Sequence, residues 1–227
     1  MGQVIRIQDL RSYYKTPERG FRMNSPDHYT RRDYDLKGRF ASYWHQVDEI
    51  LSLRPGNVLQ VGMGNGFLRD YLKRRDMDIT DLDIDPELGP DVVGDVRDMP
   101  FEDGQFDICV CFEVLEHMPY EYFRAALGEL KRVSRGRVII SVPDIRPVYR
   151  IFMELPLIGW FRLMIPRVRL RPARHSPDDQ EHFWNINESG FPLRKVKEDI
   201  RKEELDIIRT YRVFEHPAHR FFVLDKK

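Results

Sequence analysis

Three glycines at alternate positions, Gly62, Gly64 and Gly66, follow directly on the apolar run Val58-Leu59-Gln60-Val61. They precede Phe67-Leu68-Arg69-Asp70-Tyr71-Leu72, whose apolar side chains have helical spacing. A strand, a tight turn and a helix start in that order make a cradle for a polar ligand. Glycine lets the backbone bend sharply and lets a ligand approach it, because no Cβ intervenes. The first N–H groups of the helix lack intrahelical acceptors and so favour a polar or anionic group. Farther on, Ile79-Thr80-Asp81-Leu82-Asp83-Ile84-Asp85 ends a second apolar run in three acids. A carboxylate at that strand tip can accept hydrogen bonds from both hydroxyls of a ribose. Asp81, Asp83 and Asp85 share one face by strand parity, so spacing alone does not choose among them.

A dinucleotide cradle is the first alternative. It needs its third glycine three residues after the second, where the helix packs close to the sheet. Here Phe67 holds that position and the third glycine comes early. The spacing therefore argues for a nucleoside without a pyrophosphate, and against an NAD-dependent oxidoreductase.

Taken together, the glycine turn and the acidic strand end resemble the class I S-adenosylmethionine-dependent methyltransferases, in particular their type 11 domain. Gly94-Asp95-Val96-Arg97-Asp98-Met99-Pro100-Phe101, Phe106-Asp107, Glu113-Val114-Leu115-Glu116-His117-Met118 and Leu130-Lys131-Arg132-Val133 match as well. The resemblance covers about residues 50–143. It implies transfer of a methyl group from S-adenosyl-L-methionine to a small or medium organic acceptor. Gly62, Gly64 and Gly66 would then admit the methionine portion and sugar of the cofactor. Asp83 would hold the ribose hydroxyls and Ile84 would pack on the adenine. Asp95 would accept from the adenine amino group, with the Val96 N–H on a ring nitrogen. Phe112 would offer a backbone carbonyl to the methionine ammonium. His117, read as the start of a helix near the methyl end, is a weak candidate for a general base. Two departures stand out. Gln60 sits where the family usually carries an acid, so it brings no charge opposite the cofactor's cationic groups. The turn Val133-Ser134-Arg135-Gly136-Arg137 is shorter than usual and reads as a loop variant.

The elements that must position these residues alternate along the chain. Residues 41–53 read as a helix, 58–61 as a strand, 67–73 as a helix, 79–84 as a strand and 91–93 as a short strand. Residues 106–112 follow as a strand, 121–133 as a helix and 137–142 as a strand. Residues 187–204 read as a helix interrupted at Gly190-Phe191-Pro192, and 205–214 and 220–224 as two strands joined through Glu215-His216-Pro217-Ala218. Such a short connection forces that last pair antiparallel. The expected fold is α/β: a Rossmann-like three-layer sandwich whose seven-stranded sheet is mostly parallel and ends in an antiparallel strand. Residues 1–40 read as an arm or lid, with Tyr13, Tyr14, His28, Tyr29 and Tyr34 as its aromatics. Residues 41–227 read as one domain with an insertion at about 145–185.

That insertion holds seven arginines between 145 and 175 against the single acid Glu154, interleaved with Tyr149, Phe152, Trp160 and Phe161. It is expected to shape the acceptor pocket, with Arg162, Arg167, Arg169, Arg171 and Arg174 facing an anionic or lipid-linked acceptor, to contact an anionic membrane, or to be a charged lid. The chain as a whole balances 37 basic against 37 acidic residues, which gives no field to draw nucleic acid. Cys109 and Cys111, two apart on a strand, read as buried thiols, since a bridge between them would strain the backbone. Together with the lack of a roughly 20-residue apolar span, this places the protein in the cytoplasm by expectation. His175, His182, His216 and His219 lack a recognisable ligand spacing, and no metal is expected. A domain that binds the cofactor without catalysis is the main competing function.

Overall fold

The computed structural model describes residues 26–32, 34–156, 159–168, 173 and 181–227. Tyr13, Tyr14, Arg169, Arg171, Arg174 and His175 lie outside the described residues. The chain enters through the short helix α1 (Pro26–Thr30) and the long helix α2 (Lys37–Leu53), which Arg54 ends in the left-handed conformation. Then come β1 (Asn57–Val61), α3 (Phe67–Lys73), β2 (Asp78–Asp83), β3 (Val92–Val93) and β4 (Phe106–Phe112). Helix α4 (Phe123–Val133) leads into β5 (Ser134–Pro143). A hairpin, β6 (Val148–Leu155) and β7 (Gly159–Pro166), precedes α5 (Leu193–Lys202), β8 (Leu205–Arg212) and β9 (His219–Lys226).

Seven strands form one sheet in the order β3-β2-β1-β4-β5-β9-β8. β1 to β5 pair parallel, and β9 runs antiparallel to both β5 and β8. This is the mixed sheet expected from the sequence. Parity writes the two cores. On one face Ile108, Val110, Ile139, Phe221 and Val223 pack with Ile50 of α2 and Leu68 and Leu72 of α3. On the other, Cys109, Cys111, Val138, Ile140, Phe222 and Leu224 pack with Leu127 and Leu130 of α4 and Val196 and Ile200 of α5. Burying apolar side chains on both faces of every central strand stabilises the sheet by roughly 1.5–3 kcal/mol per large side chain. Cys109 and Cys111 are free thiols inside that second core, and desolvation pushes both pKa values well up.

Phe67 explains the missing third glycine of the dinucleotide pattern. Its ring stacks on Tyr43 of α2 at 4.6 Å and meets Phe40 edge-on at 5.7 Å. The space that a closer helix would need is filled by α2.

Four local expectations differ. The last helix starts at Leu193, not at 187, because Asn187 and Gly190 have positive φ and Pro192 is extended at the cap. His117 ends a 3-10 turn, Leu115–His117, while α4 begins only at Phe123, after the extended Pro119. No loop separates Val133 from Ser134, where α4 runs straight into β5. The insertion builds the β6–β7 hairpin, whose alternation the arginine count had masked.

Candidate active site

The glycine turn sits at the carboxyl end of β1, where the order of the strands reverses between β1 and β4 and a crevice opens. Gly62, Gly64 and Gly66 all have positive φ, at 81°, 55° and 76°. Gly62 is constrained twice, since an added Cβ would stand 2.2 Å from Val114 Cγ2. Gly66 caps α3 in the left-handed conformation.

Asp83 ties this turn to the neighbouring strand. Its Oδ2 accepts from the Met63 N–H at 2.8 Å and its Oδ1 from the Asp85 N–H at 2.9 Å. Burial raises its pKa to about 6 against the pull of those two donors. Asp85 accepts from the Glu87 N–H at 3.0 Å and caps the turn Pro86–Leu88. Asp81 is taken up by Arg69, whose Nη1 lies 3.3 Å from its Oδ2. The structure thus separates the three acids: Asp83 and Asp85 line the cavity, and Asp81 pairs at the flank.

A cavity of about 270 Å³ opens over these residues, near the lower end of the roughly 300–1,000 Å³ of small-molecule sites. One half is walled by Gln60, Gly62, Gly64, Asp83, Ile84, Val96 and Phe112. Gln60 Nε2 donates to the Gly62 carbonyl at 3.1 Å, while its Oε1 is buried and has no hydrogen-bond donor among the described residues. Asp95 stands behind the wall. Its carboxylate accepts from the Arg97 N–H at 2.8 Å and pairs with the Arg97 guanidinium at 2.6 Å, which itself lies over the Tyr122 ring.

The other half is made of side chains from distant segments. His28, Tyr29 and Tyr34 meet edge-on at 5.1–5.4 Å and roof the glycine turn, with Tyr34 Oη 3.7 Å from the place of a Gly64 Cβ. Arg39, Glu113, His117, Glu181, His182 and His219 complete the wall. Glu113 has a positive φ of 53°, its N–H donates to Ser141 O, and burial raises its carboxyl to about 7 while Arg39 pulls it down. His219 Nε2 lies 3.5 Å from Glu113 Oε2, and its Nδ1 is 2.8 Å from Ser42 Oγ. Burial holds the His219 imidazole neutral, far below its ordinary pKa. His117 Nδ1 is 2.9 Å from the Glu181 carbonyl. A carbonyl only accepts, so in the neutral ring Nδ1 carries the proton and Nε2 the lone pair.

The sequence reading has Glu113, the first residue past β4, only within a matching motif, and His219 only as a rejected metal ligand. Glu116, His117 and His182 bring one ligating atom each within 4.8 Å of one another, a grouping that spacing alone did not show. Arg162 and Arg167 do not line the cavity, so the expectation that they face the acceptor fails for them. Among the described arginines, Arg39 of α2, before the sheet, lines the cavity.

This strand order, with a glycine turn and an acid at the switch point, is that of a Rossmann-like α/β sandwich. Residues 59–140 match the family model of the methyltransferase domain. The demethylmenaquinone methyltransferase of Thermotoga maritima is 32% identical over 129 residues, which cover 47% of this chain and 55% of that protein. The chain spans about half the length of the curated relatives it matches. Among solved structures, the magnesium protoporphyrin IX methyltransferase of Synechocystis, with bound SAM, superposes with a TM-score of 0.59 at 14% identity over 100% of both chains. The 1,6-didemethyltoxoflavin N1-methyltransferase of Burkholderia thailandensis gives 0.54 at 17%, over 91% of this chain and 92% of that one. Over residues 59–140 the chain is thus similar to the methyltransferase domain, and its fold is that of class I S-adenosylmethionine-dependent methyltransferases.

Proposed function

We propose that this protein binds S-adenosylmethionine against β1, β2 and β4 and transfers its methyl group to an organic acceptor. One observation carries the reading: two acceptors of different kinds stand on the same wall, at Asp83 and at Gln60. Each Asp83 oxygen takes one backbone N–H, and a carboxylate has roughly four lone-pair sites, so both can still accept a hydroxyl. Gln60 Oε1 is a buried acceptor that meets no donor among the described residues. A nucleoside with a cationic amino-acid tail brings the matching donors, two ribose hydroxyls and an ammonium. Gln60 therefore does by an amide dipole what an acid does in relatives. Bound there, the cofactor supplies an electrophilic methyl group on a sulfonium.

The chain's own residues would do the rest. Gly62 and Gly64 keep the turn free of side chains, and Ile84 and Val96 offer apolar surface to the purine. Phe112 would present its carbonyl to the ammonium. Asp95 is a positioning residue in this reading, because it holds the Gly94–Val96 turn through the Arg97 N–H. Gly66 acts through the start of α3.

On the acceptor side, Glu113 is the residue best placed to receive a proton, with a pKa about 7 that matches neutral operation. His219, fixed by Ser42, orients it, and His117 is the second base. Tyr29 and Tyr34 present ring edges suited to a flat apolar body, and Arg39 suits an acceptor that carries negative charge. Methyl transfer depends chiefly on in-line approach, which these walls impose by shape. Calorimetry with S-adenosylmethionine and S-adenosylhomocysteine tests the first half of the reading. Absence of binding at millimolar concentration defeats it, and binding without turnover across anionic aromatic and lipid-linked acceptors leaves a cofactor-binding domain.

A further inference from the structure

We propose that the β6–β7 hairpin is a docking surface for an anionic lipid bilayer. The hairpin forms its own two-stranded sheet, apart from the main one. Register sets Tyr149 opposite Ile165, Ile151 opposite Leu163 and Met153 opposite Phe161. Directly opposed residues share a face, so these six side chains make one continuous apolar surface with no charge in it. Five of the six are exposed, from Leu163 at 38% to Tyr149 at 58%.

The opposite face is the one anchored to the body of the protein. Arg150 donates to the carbonyls of Phe214 and Glu215, Arg162 pairs with Glu215 at 2.9 Å, and Phe152 packs near Phe214. The apolar face therefore points away from that anchor. Exposed apolar ladders of this size mark interaction sites in proteins that stay soluble.

Charge selects the occupant. Seven arginines and one acid lie between 145 and 175 in a chain that is otherwise in slight acidic excess. Arg167 reaches over the Tyr149 ring at the base of the apolar face. Trp160, opposite Glu154 on the other face, is 63% exposed, and the sequence from Leu155 to Gly159 has no charged residue. An apolar face with aromatic side chains and Arg167 at its base fits a headgroup layer, where Trp and Tyr settle and Arg meets phosphate. A second copy would bring the same cations against themselves. Two strands with unpaired edges cannot enter the hydrocarbon, so contact stops at the headgroup boundary.

The test is co-sedimentation of the full chain with phosphatidylcholine vesicles, with and without phosphatidylglycerol. The proposal expects binding to the anionic vesicles at least roughly tenfold tighter than to the neutral ones, weakened by salt. The double variant Phe161→Asp/Leu163→Asp should lose at least roughly tenfold while its circular dichroism and cofactor affinity stay unchanged, since neither residue touches the cavity. No binding by the wild-type chain, or equal binding by the double variant, overturns the proposal. A dimer in solution that this variant dissociates also overturns it and assigns the face to a second copy. Cofactor binding is measured separately, so failure here leaves the proposed reaction untouched.

Discussion

Asp83→Asn removes one oxygen from a carboxylate whose two oxygens hold different backbone donors. The Met63 N–H is on Oδ2 at 2.8 Å and the Asp85 N–H on Oδ1 at 2.9 Å. An amide has a single acceptor oxygen, so its NH2 group must face one of those N–H donors. One buried donor is left unsatisfied, at a cost of about 1–3 kcal/mol. Removing the acid also removes a burden. Folding raises its pKa from 3.8 to about 6, so the folded protein holds a proton over a range in which the unfolded chain has released it. Stability from this group therefore falls as pH rises from about 4 through about 6, by at most about 3 kcal/mol. Asparagine has no such dependence. The variant should be less stable than the wild type at pH 4 by the lost hydrogen bond, and the gap should narrow or close at pH 8.

Cofactor affinity should move the other way. Both ribose hydroxyls need the ionised acid, so wild-type affinity should drop below about pH 6, by up to tenfold per pH unit. The variant should bind roughly 10- to 100-fold more weakly at pH 7.5 and show little dependence on pH. Calorimetry at pH 5, 6 and 7.5 with thermal melts on the same samples reads both quantities. A variant that binds within twofold of the wild type at pH 7.5, or that keeps its pH dependence, refutes the ribose role.

Gln60→Leu should leave melting within about 1 kcal/mol, because it removes an orphaned acceptor along with one hydrogen bond. Its cofactor affinity should still fall by roughly tenfold, and Gln60→Glu should restore or exceed it. Glu113→Gln should lower kcat by roughly 100-fold with little change in KM, and should abolish a rise in wild-type rate centred near pH 7, as followed by transfer of labelled methyl groups. Phe67→Ala should cost about 2 kcal/mol in a denaturant titration, since its stack on Tyr43 is only half-buried, and should not create NAD binding. Trp184→Ala should cost about 3–5 kcal/mol, because this fully buried indole donates to Leu115 O and packs on Tyr120 and Phe123 beside Glu181 and His182 of the cavity wall.

The fold was legible because its rules are local. Val58–Val61, Phe106–Phe112 and Arg137–Val142 are apolar on both faces, and each run is bounded by turn residues. The glycine turn was legible because positive φ needs a residue type that the sequence displays. Glu113 and His219 were not, since they stand 106 residues apart and meet only through topology. β9 runs antiparallel beside β5 with His219 opposite Pro143, so its first residue arrives at the carboxyl end of the parallel strands. A parallel last strand would have sent His219 to the other end of the sheet. The hairpin was hidden because the sequence joining its strands carries none of the Asn-Gly or Asp-Gly signals that mark hairpins. Asp95 shows the reverse problem: the motif is plain, but Arg97, two residues on, takes its carboxylate for the turn itself.

The two halves of the cavity are built by different means, and this bears on how such a fold changes its acceptor. The half assigned to the cofactor is mostly backbone: three left-handed glycines, an acid bridging two turns, and strand ends fixed by the sheet. Few residues there can change without moving the main chain, and the family match at 59–140 falls on that part. The facing half is side chains alone, from α1, α2, the end of β4, residues 181–182 and the start of β9. No sheet hydrogen bond depends on Tyr29, Arg39 or His182. Each can be exchanged without breaking the sheet, although Arg39 also holds the Tyr34 carbonyl and His182 meets Asn185. It follows that exchanges at Tyr34 and Arg39 should alter which acceptor is methylated while the affinity for S-adenosylhomocysteine changes little. Parallel loss of both would mean that the roof belongs to the cofactor site instead.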